Sequence, residues 1–170
     1  MRTRRFWILI LVVTTGVATF AHYYRVGVVV GNSMQPTYES GDLVLVERLA
    51  YRILPPAESD VVLARVGGQH VLKRIVGLPG QAVEVRSGVV HVDGAVPSCS
   101  YPVLQGDIDI DTGVLATDRY AILGDNRAET QLRTLHSVVS RADLVGKVVM
   151  HLRLRRRSQN QAPADSASAP

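Results

Sequence analysis

The chain has 170 residues, of which 46% are hydrophobic and 20% charged, and its formal net charge at pH 7 is +4. That length fits one domain, alone or with an anchor, and the single cysteine, Cys99, excludes an internal disulfide as the basis of the fold. The basic residues cluster near the two ends without interleaved aromatics, which argues against a nucleic-acid partner and favours an anionic membrane surface.

The first predicted element is an apolar segment, residues 6–24, which contains no Asp, Glu, Lys or Arg. As a helix it would extend about 28 Å, close to the hydrocarbon thickness of a bilayer. Three arginines precede it and Arg25 follows, so the positive-inside rule predicts that residues 1–5 are cytoplasmic and the rest of the chain is extracytoplasmic. A cleavable signal peptide is the alternative, but the length and aromatic ends of the segment favour a single-pass anchor in the cell membrane.

The rest of the chain consists of short valine-rich runs broken by Gly and Pro, a pattern typical of strands. We predict strands at residues 26–30, 43–47, 61–64, 70–78, 82–86, 89–92, 120–123 and 144–154. Loops are expected at residues 51–60 and at the acidic stretch 98–117, and a disordered tail at residues 158–170. The predicted fold is mostly β: a compact antiparallel sheet or barrel-like domain over residues 25–157, with one N-terminal transmembrane helix.

Two segments carry most of the chemical information. Gly31-Asn32-Ser33-Met34-Gln35-Pro36-Thr37 predicts a serine on a tight turn, and Leu72-Lys73-Arg74-Ile75-Val76 predicts a lysine in an apolar strand. Taken alone, such a serine usually bonds to nearby backbone and such a lysine usually faces solvent. Taken together, they are the parts of a nucleophile and its general base. A free lysine has a pKa of about 10.4, so lowering it to about 7.5 by burial would require roughly 4 kcal/mol.

Together with Gly41-Asp42-Leu43-Val44 and Gly124-Asp125-Asn126-Arg127, these segments resemble the type I signal peptidase family in order and spacing, from the anchor to about Met150. The resemblance implies a catalytic β-domain in which Ser33 is the nucleophile and Lys73 the general base. It implies removal of signal peptides from exported preproteins after small residues, at a lipid membrane and without a cofactor or metal. The supporting residues that it marks are Gly31, Met34, Pro36, Asp125, Arg127 and Thr130.

The sequence departs from the family pattern in two places. Gly31 stands where some members carry a hydroxyl, which leaves the backbone N–H of Ser33 as the expected oxyanion donor. Thr130 takes the position of a family serine and can still orient Lys73, but residues 132–134 replace an Asp-Ser-Arg motif, so an ion pair that braces the site is lost or rebuilt. Related eukaryotic-type signal peptidases use a histidine as the base, but Lys73 takes that position here. His70 lies three residues earlier, so it is expected to be structural or exposed.

This departure keeps other functions open. One is a dedicated processing peptidase for a narrow substrate, such as a pilin or a single secreted protein. Another is a catalytically weak scaffold member, although retention of Ser33 and Lys73 argues against it. A self-cleaving repressor-type protein with the same residue pair would need a DNA-binding module and no anchor.

Overall fold

The structure is a computed structural model that describes residues 2–98, 100–128 and 136–153. A long helix, α1 (Arg2–Tyr23), leads directly into the first strand, β1 (Tyr24–Val28). The remaining strands are β2 (Leu43–Glu47), β3 (Val61–Val66), β4 (Gln69–Gly77), β5 (Ala82–Arg86), β6 (Val89–Val92), β7 (Ile110–Val114), β8 (Arg119–Leu123), β9 (His136–Ser140) and β10 (Leu144–Leu152). A short helix, α2 (Ala50–Ile53), follows β2, and a 3-10 helix (Arg141–Asp143) precedes β10.

The strands form two antiparallel sheets. The larger sheet has the order β1-β2-β10-β3-β4-β8-β9, and the smaller has the order β6-β5-β7. Strand β8 pairs with β4 only from Arg74 onward, whereas β3 pairs with β4 from Gln69 to Arg74. Within the described residues, the first half of β4 therefore has a strand neighbour on one side only.

Alternation of buried valines with more exposed residues explains why segments such as β2 and β5 become strands. In β2, Val44 and Val46 are buried while their neighbours are partly exposed, as a sheet with one covered face requires. The β5–β6 hairpin turns at Ser87 and Gly88, whose φ angles of 45° and 75° belong to the left-handed region that tight two-residue hairpins use.

Three hydrophobic clusters form the core. One lies around Val62, Ile75 and Ile122, and a second joins the two sheets through the valines of β5 and β6. The third surrounds Met34, which follows the predicted nucleophile, and includes Val44 and Val46. The turn that carries Ser33 is thus attached to the core by its own neighbouring side chain.

The predicted mostly-β fold is confirmed, and the predicted strands at 43–47, 82–86 and 89–92 have the bounds of β2, β5 and β6. The prediction of a loop at 51–60 was wrong at its start, where helix α2 forms. Tyr51 is buried in the core there, and its hydroxyl donates a hydrogen bond of 3.0 Å to Asp60. A helix of one turn has too little local stability to be predicted from the sequence pattern, so tertiary contacts determine whether it forms.

Two strands were missed. The stretch 98–117, expected to be irregular, contains β7, in which Ile110 packs against the second cluster. In the sequence, Ile110 lies between Asp109 and Asp111. Strand β9 was not predicted either, although Val139 is buried in the first cluster. The predicted disordered tail lies outside the described residues, and the predicted domain boundaries stay predictions.

Candidate active site

Ser33 lies on a turn that begins where β1 ends. Val29 is buried after the strand, and Gly31 has a φ of +92°, a conformation that residues with a Cβ rarely adopt. Met34 is then only 2% exposed, while Ser33 remains half-buried. The glycine lets the chain reverse, and the methionine fixes the reversed segment against the core, so the serine hydroxyl is presented at an accessible position.

Lys73 lies in β4, with Val62 of β3 as its cross-strand partner. Its Nζ is 2.6 Å from Ser33 Oγ, within hydrogen-bond distance, and the residue is only 4% exposed. The ordinary solvent-facing role of a strand lysine is therefore excluded. The structure brings together the two residues that the sequence predicted as nucleophile and base, across forty positions of the chain.

Asp125 connects the elements that carry this pair. It follows β8, is 1% exposed, and accepts hydrogen bonds from Arg74 Nε at 2.9 Å and from Arg74 Nη2 at 2.6 Å. Its Oδ2 also accepts a hydrogen bond of 2.6 Å from Thr37 Oγ1. Because Arg74 is next to Lys73 and Thr37 closes the nucleophile turn, this carboxylate ties together the backbones on which both candidate catalytic residues stand.

Arg74 is the important residue that the sequence analysis did not identify as part of the site. Its Nη1 donates to Ser59 O over 2.9 Å, and its guanidinium lies 3.8 Å from the ring centroid of Tyr101. Burial alone would lower the pKa of Arg74, but the hydrogen bonds and charge of Asp125 outweigh burial and raise it. The available signal was a guanidinium inside an apolar strand, since a buried charge needs a partner.

Asn126 binds the turn that carries Ser33 through both its backbone and its side chain. Its N–H donates to Ser33 O over 3.0 Å, and its Nδ2 donates to Asn32 O over 3.1 Å. The loop after β8 therefore fixes the peptide groups on either side of the serine, which leaves the hydroxyl as the adjustable part of the residue.

Arg127 supports the fold near the site. It is buried, its Nη1 donates to Gly88 O over 2.6 Å, and its Nε has no hydrogen-bond partner among the described residues. A Cβ on Gly106 would lie 1.7 Å from Arg127 O, so only glycine allows that approach. Arg127 thus joins the loop after β8 to the turn of the smaller sheet and does not reach Ser33 in any described contact.

The other predicted site residues differ in their surroundings. Pro36, which follows a cis peptide bond, accepts a hydrogen bond of 3.2 Å at its carbonyl from Arg153 Nη2. Gly31 has open space where a side chain would lie, and His70 is exposed. Thr130 lies outside the described residues, as do residues 132–134.

A buried aspartate, Asp42, makes contacts with the segment that follows the Ser33 turn. Asp42 Oδ2 accepts the backbone N–H of Glu39 at 3.0 Å and lies 3.6 Å from His151 Nε2. The His151 ring lies 4.9 Å from the ring of Tyr38, and burial raises the pKa of that tyrosine. The end of β10 is therefore packed against the segment that follows Ser33.

A groove with a cavity volume of about 650 Å³ opens beside Ser33 and Lys73. One wall is formed by residues 25–34, which include β1, and the other by residues 69–73 of β4. Val44, Val46 and Leu63 line it from the strands between. The groove is lined by both apolar and polar residues and lies along strand edges, a shape that suits an extended peptide.

A serine in contact with a buried lysine, at the end of a groove in a β-domain, is the arrangement of a serine-type hydrolase. The family model described as "Signal peptidase, peptidase S26" matches residues 2–152 of this chain. The chain belongs to this family of serine-type peptidases, as its sequence resemblance indicated.

Two relatives found by sequence agree with this assignment. A signal peptidase I of Leptolyngbya laminosa is 27% identical over 152 residues, which cover 84% of this chain and 74% of that protein. Signal peptidase I V of Bacillus subtilis (strain 168) is 28% identical over 148 residues, which cover 73% of this chain and 84% of that protein. The solved structure of a signal peptidase I from Enterococcus faecalis V583 aligns with 55% of this chain and 97% of that chain, at 23% identity and a TM-score of 0.45.

Proposed function

We propose that this chain is a membrane-anchored endopeptidase that removes signal peptides from exported preproteins, with Ser33 as nucleophile and Lys73 as general base. The observation that carries the proposal is the 2.6 Å separation of Lys73 Nζ from Ser33 Oγ at a 4% exposed lysine. Burial disfavours a charged amine, and a neutral amine at that distance can accept the hydroxyl proton.

In the first half of the reaction, Ser33 Oγ attacks the carbonyl carbon of the residue before the cut while Lys73 Nζ takes the hydroxyl proton. The oxyanion that forms is stabilised by the backbone N–H of Ser33. The C–N bond then breaks, and the ammonium of Lys73 gives its proton to the departing amine. The product of this half is an ester on Ser33.

In the second half, Lys73 removes a proton from water, and the resulting hydroxide attacks the ester carbonyl. The C–O bond to Ser33 breaks, and Lys73 returns its proton to Ser33 Oγ. The signal peptide leaves as a carboxylic acid that gives its own proton to solvent. Asp125, Arg74 and Thr37 contribute by keeping the turn and β4 in register, since small displacements of a nucleophile cost large factors in rate.

The groove supports a peptide substrate bound as an added strand. The first half of β4 and the outer edge of β1 have no strand neighbour on the groove side within the described chain. A preprotein segment could donate to and accept from these backbones, with alternate side chains directed into the groove. The small residues that signal peptidases require before the cut would then lie along Val29 and Gly27.

Two features support the membrane location. The segment Thr3–Tyr23 is long and apolar enough to cross a bilayer, although a cleavable signal sequence meets the same criteria. On the sheet, β1, β2 and β10 align an apolar outer face next to that helix, formed by Val26, Val28, Leu43, Leu45, Met150 and Leu152. An exposed apolar face of this kind fits the interfacial region of a lipid bilayer.

Cleavage of a preprotein bearing Ala-x-Ala by the purified full chain in detergent tests the proposal. We expect Ser33→Ala and Lys73→Ala each to lower kcat/KM by at least about 10³-fold, because each residue of such a unit is needed by the other. The rate should rise with pH as the amine at position 73 loses its proton.

Two control variants separate chemistry from general damage. Ser40→Ala alters an exposed serine near the same turn, and Lys147→Ala removes the only other lysine of the chain. Both controls should retain cleavage. Turnover that survives in Lys73→Ala, or a pH profile without an ascending limb, would contradict the proposed base. No finding favours the narrow-substrate alternative, and turnover of generic preproteins would argue against it.

A further inference from the structure

We propose that the end of the groove farthest from Ser33 selects an acidic side chain at the fifth residue before the cut. This inference rests on the proposed function and names a feature of its substrate. Arg25 and His70 line the groove on opposite walls at that end, and Gln69 lies beside His70. The groove lining contains no Asp or Glu among the described residues, so this end is a basic site without a compensating carboxylate.

The spacing of β1 assigns the position. Val29, Gly27 and Arg25 are two residues apart, so their side chains belong to one face of the strand. Gly27 and Arg25 pair with Val44 and Val46, which also line the groove, so this face is the one turned to the groove. A substrate strand beside β1 would place its first, third and fifth residues before the cut along Val29, Gly27 and Arg25.

The spacing of residues in β4, on the opposite wall of the groove, is consistent with this register. Leu72 and His70 of β4 are likewise two apart, and Leu72 pairs with Leu63, another residue of the groove lining. Four residues of extended chain cover about 13 Å, which carries a substrate from Ser33 to the Arg25 end. Gly27 has no side chain, and an added Cβ there would lie 3.5 Å from Val44 Cγ2, so the middle of the groove stays open.

The direction of the substrate follows from the anchor. The part of a preprotein before the cut continues into its own apolar segment, which lies in the membrane. Helix α1 ends at Tyr23, two residues before Arg25, so the Arg25 end is the membrane-proximal end of the groove. The residues before the cut must therefore point toward Arg25, and those after the cut must leave on the other side of Ser33.

The test compares three peptides that share an Ala-x-Ala site and carry Asp, Asn or Lys at the fifth position before the cut. We expect kcat/KM to be about five- to tenfold higher for Asp than for Lys, the range typical of one partly exposed charge contact. The preference should shrink at high salt, because exposed charges are screened. Moving the Asp to the fourth position, which faces away from the groove, should remove the gain.

Reversing the charge of Arg25 tests whether this residue causes the preference for Asp. Arg25→Glu should invert the order so that the Lys peptide is cleaved faster than the Asp peptide, with the Asn peptide little changed. Arg52→Glu makes the same charge change at an exposed site on α2, outside the groove, and should leave the order unchanged. The Asn peptide also reports whether each variant is folded and active.

The outcomes separate this inference from the proposed function. Equal kcat/KM for the three peptides, or an Asp preference that persists in Arg25→Glu, overturns the inference while cleavage itself upholds the peptidase activity. Failure to cleave any of the peptides, or a full preprotein, overturns both. A gain that is equally large when the Asp is at the fourth position overturns the assigned register.

Discussion

Asp125 receives hydrogen bonds from Thr37 on the nucleophile turn and from Arg74 beside Lys73. Arg74 is itself nearly buried, so the two charges are removed from water together. Such a pair is expensive to desolvate, and its net contribution to stability is small compared with the cost of losing one partner. The pair therefore acts mainly as a constraint on geometry, because any displacement of the turn relative to β4 would leave a buried charge uncompensated.

At this scale we predict that Asp125→Asn lowers the free energy of unfolding by about 3 kcal/mol, since the guanidinium of Arg74 loses its buried counter-charge. The matched control is Glu84→Gln, which removes the carboxylate of the ion pair with Arg86, a largely exposed side chain. The control should cost less than about 1 kcal/mol. Equilibrium denaturation of both variants in detergent measures the difference, and equal losses would contradict a buried, geometry-fixing pair.

At the scale of secondary-structure elements, strand β10 joins two parts of the larger sheet. It is the last strand in sequence, yet it lies between β2 and β3 in the larger sheet. The close approach of β10 to β2 depends on Gly146, where an added Cβ would lie 2.4 Å from Glu47 O and 2.8 Å from Val46 Cγ1. A backbone atom cannot move aside as a side chain can, so the sheet itself would have to shift.

We therefore expect Gly146→Ala to lower the free energy of unfolding by about 1–3 kcal/mol through overpacking. Gly27→Ala is the control in the same sheet, because its Cβ would make an ordinary contact of 3.5 Å with Val44 Cγ2. That change should alter the free energy of unfolding by less than about 0.5 kcal/mol. Urea titration measures the free energy of unfolding of the two variants. Indistinguishable unfolding midpoints would contradict the expectation and show that β2 and β10 separate easily.

At the scale of the whole molecule, the helix, the apolar sheet face and the groove all meet at β1. Helix α1 passes directly into β1, β1 forms a wall of the groove, and the chain reaches Ser33 ten residues after the helix ends at Tyr23. This continuity would hold the groove near the bilayer surface, where a preprotein anchored by its own apolar segment presents its cleavage region.

The proposed topology predicts the behaviour of a tag attached after residue 170. In intact spheroplasts, an added protease should degrade the tag, because the proposed topology puts the domain after the anchor outside the cytoplasm. The tagged protein should also remain in the membrane fraction at its full mass. A tag protected until the membrane is permeabilised would contradict the orientation, and a shortened protein in the soluble fraction would show that the apolar segment is a cleaved signal sequence.

Short-range pattern determined much of the fold. Valine alternation and turn residues predicted β2, β5 and β6 with their bounds, because each is set by local periodicity. Helix α2 and strand β7 were missed, because Tyr51 and Ile110 are held by residues distant in sequence. Local propensity is weak for a one-turn helix or for a five-residue strand that contains both Asp and Gly, so packing against the core decides whether such elements form.

The sequence by itself determined the family and the mostly-β class and predicted the Ser33–Lys73 pair, because these depend on motifs whose order and spacing are visible in one dimension. Only the tertiary structure decided that Nζ and Oγ are 2.6 Å apart, that Arg74 neutralises Asp125, and that Arg25 and His70 share one groove. The physical reason is that burial and charge pairing depend on which distant segments meet, and strand order, unlike strand periodicity, is not written in any local pattern.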